Sequence, residues 1–87
     1  MKVLFERKFL KEVTGADKQT RQLAEQVILN VEAATVLSQI NNLKKLKGFI
    51  SSYRIRVGDY RIGIFVNGNT VEFACFMHRK DIYKFFP

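Results

Sequence analysis

Arg54, Arg56 and Arg61 stand close together in the chain, and Arg79 and Tyr83 follow near its C-terminal end. A guanidinium is a planar fork that grips phosphate oxygens two at a time and keeps its charge at any biological pH. Cleavage of a phosphodiester within RNA needs such cations to stabilise the charge developing on the phosphorane. It also needs a positioned group to take the 2′-hydroxyl proton. Imidazole titrates near neutrality, which makes the single histidine, His78, a candidate for that base. A phenol such as Tyr83 serves only where neighbouring cations draw its proton off, and its ring also suits stacking on an unpaired base. This route asks for no metal, and carboxylates are scarce in the same stretch, where Asp59, Glu72 and Asp81 are scattered. The single cysteine, Cys75, rules out an intramolecular disulfide, a CxxC redox pair and a zinc set. No metal and no cofactor are expected.

These side chains act together only if one surface carries them. From Ser52 the pattern has period two: Tyr53, Ile55 and Val57 alternate with Ser52, Arg54 and Arg56. Gly58-Asp59 predicts a tight turn, after which Tyr60, Ile62, Ile64 and Val66 alternate with Arg61, Gly63 and Phe65. Asn67-Gly68-Asn69 is a hairpin signal, and beyond it Val71, Phe73, Cys75 and Met77 alternate with Glu72, Ala74, Phe76 and His78. A two-residue turn at either Asn67-Gly68 or Gly68-Asn69 puts the aliphatic rows on one face. The other face then carries Arg54, Arg56 and Arg61 around the small residues Gly63 and Ala74, while Cys75 becomes a core thiol. By itself, such alternation describes the wet side of a half-buried sheet.

The N-terminal half supplies the cover. Met1 to Phe5 suits a strand, and Phe9, Leu10 and Val13 recur at helical spacing until Thr14-Gly15. Asp17 is placed to cap a second helix whose stripe is Leu23, Ala24, Val27, Ile28 and Val31. Leu37, Ile40, Leu43 and Leu46 continue at three-residue steps, predicting a helical end or an irregular turn before Lys47-Gly48. The expected fold is a single α+β domain over residues 1–87. A mostly antiparallel four-stranded sheet has two N-terminal helices packed on its aliphatic face and its arginine face open. Arg79 to Phe86 forms a short C-terminal helix or tail. Eight Phe and three Tyr provide the core area that so short a chain needs.

The net charge of +7 is unevenly spread, because residues 44–87 hold nine basic side chains against three acidic ones. This asymmetry points to phosphates or an acidic polypeptide as partner. Lys44, Lys45 and Lys47 are candidate contacts to RNA phosphates, although a lysine run also reads as a solvated surface. Met1-Lys2-Val3-Leu4-Phe5-Glu6-Arg7 turns to charge early, and no run has the length of a signal or membrane segment. A cytoplasmic protein without a membrane partner is expected.

Taken as a whole, Tyr53-Arg54-Ile55-Arg56-Val57-Gly58-Asp59-Tyr60-Arg61-Ile62, followed by His78-Arg79-Lys80-Asp81-Ile82-Tyr83-Lys84, resembles the RelE/ParE toxin superfamily. The resemblance is strongest from Leu46-Lys47-Gly48 to Tyr83, and the order of elements matches along the whole chain. RelE-like members cleave messenger RNA in the ribosomal A site, whereas ParE-like members inhibit DNA gyrase. For the nuclease branch, the resemblance assigns the two basic strand residues to Arg54 and Arg56 and the central phosphate-binding arginine to Arg61. It assigns the late arginine to Arg79 and the C-terminal tyrosine to Tyr83, which favours RelE over ParE. Where the best-known nucleases have lysines this chain has arginines, which do not give up a proton. Arg54 and Arg56 are then electrostatic stabilisers, and the base falls to Tyr83 or His78, some relatives using histidines. His78 also reads as a strand-end residue bonded to backbone.

The implied toxin is a ribosome-dependent endoribonuclease that acts without metal through 2′-hydroxyl attack. Its implied partners are the ribosome, messenger RNA and a cognate antitoxin with an acidic or disordered segment. The alternatives are a gyrase inhibitor without nuclease activity and an inactive relative that only binds antitoxin.

Overall fold

In chain order the computed structural model, which describes residues 1–87, runs β1 (Lys2–Phe5), α1 (Arg7–Thr14), α2 (Lys18–Ala33) and a 3-10 turn at Leu37–Gln39. It continues with β2 (Leu43–Lys45), β3 (Ser52–Val57), β4 (Tyr60–Asn67), β5 (Thr70–His78) and α3 (Arg79–Phe85). The sheet order is β1-β5-β4-β3-β2, with β1 parallel to β5 and every other pair antiparallel. The fold is α+β as expected, but the sheet is mixed and five-stranded rather than antiparallel and four-stranded. The extra strand is β2, where three-residue steps predict a helical end or an irregular turn. Leu43 pairs with Ile55 and Lys44 with Arg54, so these residues satisfy the backbone groups of β3's outer edge. Three residues are too few to display a period of two.

Helix α2 starts where Asp17 accepts a hydrogen bond from the Thr20 N–H at 2.7 Å, which holds the Asp17 carboxyl below the usual carboxylate range. Phe9 of α1 and Ala24 and Val31 of α2 are fully buried against Ile55, Ile62, Ile64, Val71 and Phe73 of the sheet. The rings of Phe5, Phe9 and Phe73 meet at centroid distances of 5.2 to 5.9 Å, so the strand β1 and the helix α1 lock onto β5 through one aromatic cluster. The parallel direction of β1 follows from that docking.

Two-residue turns set the register. Val57 pairs with Tyr60 around Gly58-Asp59, and Asn67 with Thr70 around Gly68-Asn69. Ile55, Ile62 and Phe73 therefore face the helices, with Arg54 and Arg61 on the other side. The parity expected for β5 fails midway, because Ile64 pairs with Phe73 while Gly63 pairs with Cys75, leaving Ala74 as a bulge. Beyond it Phe76 turns inward, stacking on Tyr60 at 4.9 Å and meeting Phe9 edge-on at 6.5 Å. Cys75 goes to the opposite face, a correction to its expected place in the aliphatic row. Burying a phenylalanine ring in the core removes far more apolar area from water than burying a cysteine, which favours the shifted register.

That opposite face is open only in part. Helix α3 lays the buried Ile82 over it, and Phe86 packs beside Phe65 at 5.2 Å. A Cβ on Gly63 would meet Cys75 Sγ at 2.7 Å and the Phe86 ring at 2.8 Å, so glycine is what admits this cover. Burial under it pushes the Cys75 thiol up to about 11. Gly63→Ala is expected to lift the Phe86 tail, at a cost of about 1–3 kcal/mol for overpacking. Alkylation of Cys75 at neutral pH, followed by mass spectrometry, should then run several times faster than in the parent chain. Equal rates would mean that the tail does not seal the thiol.

Candidate active site

Arg61, the second residue of β4, lies directly opposite Arg56 on β3, so two like charges face each other across the strand pair. The strain is relieved locally. Arg61 Nη1 donates to the carbonyls of Gly58 at 2.9 Å and Tyr60 at 2.8 Å, both in the turn that Gly58 closes with φ +60°. A left-handed φ favours glycine there. Arg54 pairs with Gly63, which offers no side chain, and its guanidinium instead lies over the Tyr83 ring with Cζ 4.6 Å from the centroid. Tyr83 projects from α3 and stays 66% exposed. Lys44, opposite Arg54 on β2, completes the row.

These side chains enclose a hollow of about 270 Å³ lined by Asn42, Leu43, Lys44, Arg54, Arg56, Arg61 and Tyr83. No carboxylate lines it, and the chain's only side-chain ion pair, Lys8–Glu12, lies within α1. Four cations thus converge without compensation, an arrangement that attracts a phosphate and is costly to leave empty. Asn42 was not expected here. It adopts φ +62° just before β2, and its carbonyl accepts the Arg56 N–H at 3.2 Å. The Asn41-Asn42 pair was the available signal, since asparagine tolerates the left-handed region. A second hollow of about 430 Å³ adjoins the first, sharing Lys44, Arg54 and Tyr83, and brings in Lys45 and Lys47.

The other two expected residues stand apart. Arg79 begins α3, where its backbone N–H donates to the Asp59 carbonyl at 2.8 Å and ties the helix to the β3–β4 turn. Its side chain is exposed and lines neither hollow. His78 packs edge-on against Tyr60 at 5.7 Å, and its Nδ1 accepts the Lys80 N–H at 3.2 Å, capping α3. It borders a separate hollow with Lys11, Glu12, Tyr60 and Asp81. The Ala74 bulge is the reason: it flips Phe76 and His78 off the arginine face that simple alternation would assign to them. Structure therefore separates His78 from the arginines and leaves Tyr83 among them.

No protein-family model matches the chain. Toxin RelE3 of Methanocaldococcus jannaschii is 42% identical over 88 residues, covering 100% of both chains. The crystal structure of a RelB–RelE antitoxin–toxin complex from Methanococcus jannaschii contains a chain with TM-score 0.80 and 39% identity. That match covers 97% of this chain and 99% of the other. In the RelE–RelB complex of Pyrococcus horikoshii the TM-score is 0.74 at 22% identity, covering 90% and 93%, which is a likeness of fold. Identity of 42% along the full length, joined to the same fold, shows that the chain belongs to the RelE toxin family.

Proposed function

We propose that this toxin is an endoribonuclease that cleaves messenger RNA on the ribosome. The observation that carries the reading is the uncompensated cluster of Lys44, Arg54, Arg56 and Arg61 around Tyr83. The 2′-oxygen attacks the adjacent phosphorus, the bond to the 5′-oxygen breaks, and a 2′,3′-cyclic phosphate and a 5′-hydroxyl remain. Arg61, Arg56 and Arg54 carry the charge that builds on the phosphorane, where cations already in place need no reorganisation. Lys45 and Lys47 extend the cationic surface toward neighbouring phosphates. Arg79, exposed at the start of α3 and outside both hollows, contributes a further cation for the RNA backbone in this reading. Tyr83 either stacks on a base or, as its phenolate, takes the 2′-hydroxyl proton, while the departing 5′-oxygen is protonated from water.

Relatives in two of the matched structures are complexes with RelB antitoxin. We infer the same kind of partner here, with an acidic or disordered segment laid across the basic half so that the complex weakens as salt rises. Reverse-transcription mapping on ribosomes programmed with a defined message tests the nuclease reading. Cuts inside the A-site codon are expected, and a 2′-deoxy nucleotide at the scissile position should abolish them. Intact message, with purified gyrase inhibited in a supercoiling assay, would overturn the reading in favour of a gyrase poison.

A further inference from the structure

The larger hollow combines groups that phosphate binding does not call for. Leu46, Phe49, Ile82, Phe86 and Pro87 give it an apolar lining, with Lys44, Lys45 and Lys47 also contributing. Phe49 is 48% exposed and its neighbour Ile50 is 93% exposed, although either side chain could have been buried to stabilise the fold. Phe49 is also held in place. Its N–H bonds to the Leu46 carbonyl at 3.4 Å across a turn whose Gly48 has φ +82°, and its own carbonyl accepts from Lys45 Nζ. An aromatic ring carried on an anchored backbone and lining an apolar hollow edged by cations matches a planar base carrying a phosphate on either side.

We propose that this hollow is a nucleobase subsite for single-stranded RNA, taking the base next to the scissile phosphate by stacking against Phe49. The assignment rests on the nuclease reading for its phosphate neighbour. Because Lys44, Arg54 and Tyr83 form the wall shared by both hollows, a phosphate seated on the arginines brings the adjoining nucleoside over that wall. The Arg54 guanidinium, with Cζ 4.6 Å from the Tyr83 ring centroid, adds a cation and an aromatic ring to that wall. Duplex RNA does not present a free base to such a site, which limits the substrate to unpaired strands.

The test uses a short fluorescent RNA made uncleavable by a 2′-O-methyl group at the scissile nucleotide, with one abasic position moved along it. Binding is read by anisotropy at low salt. For the parent chain, one abasic position beside the scissile phosphate should weaken binding about tenfold. Phe49→Ala should bind the intact strand as weakly as the parent binds that abasic strand and show a flat scan. Phe49→Trp should restore the dip. A flat scan on the parent chain, including no binding of any strand, overturns the subsite, and so does a Phe49→Ala protein that keeps the penalty. A flat scan with normal cleavage on ribosomes strikes the subsite alone, whereas a clear dip without cleavage strikes the nuclease reading alone.

Discussion

Arg61→Ala is expected to leave the fold standing and to lower cleavage of ribosome-bound message at least about a hundredfold, the usual cost of deleting one preorganised contact to transition-state charge. The two effects separate because the side chain is tied to the protein only through the Gly58 and Tyr60 carbonyls. Losing those bonds costs at most about 1 kcal/mol, and removing a charge that faces Arg56 offsets part of it. Arg56 is not expected to take over, since it lies across the strand pair and the proposed mechanism already uses it on the phosphate. Circular dichroism should match the parent chain while induced expression no longer arrests growth. A fully toxic, native Arg61→Ala protein would reject the nuclease reading. Tyr83→Phe divides the two roles left to that residue. Near-normal cleavage means a stacking ring, and a fall of about a hundredfold or more means a phenol that moves the proton.

Phe73→Ala should do the reverse, lowering activity by destabilising the fold. Its ring is fully buried between Phe5 at 5.3 Å and Phe9 at 5.2 Å, and its backbone pairs with Phe5 on one side and Ile64 on the other. Removing such a ring costs about 3–5 kcal/mol, as lost transfer energy plus a cavity that α1 cannot collapse to fill. A domain of this length holds roughly 4–13 kcal/mol in all, so the loss takes a large share of it. The melting temperature should drop by roughly 15–30 °C. A drop of only a few degrees would show that the Phe5–Phe9–Phe73 cluster is not what fastens β1 and α1 to the sheet.

The sequence by itself determined the shared face of Arg54, Arg56 and Arg61, the cap of α2 and the helix-facing rows of β3 and β4. Arg54, Arg56 and Arg61 share a face because strand parity is a local property, and two-residue turns transmit it from β3 to β4 without loss. Asp17 caps α2 for an equally local reason, a hydrogen bond spanning three residues.

Tertiary structure decided the rest. Where a strand bulges depends on which side chain finds room in the core, and Phe76 found it between Phe9 and Tyr60. One unpaired residue, Ala74, then sent His78 to the far side and Cys75 under α3, so which candidate base stands beside the arginines turned on the contact between Phe9 and Phe76, distant in the chain. Strand β2 exists because β3 had an open edge, and α3 covers Gly63 because Ile82 and Phe86 had nowhere better to be buried. Each of these outcomes is a competition for buried area among distant segments, and no window of the chain contains both competitors.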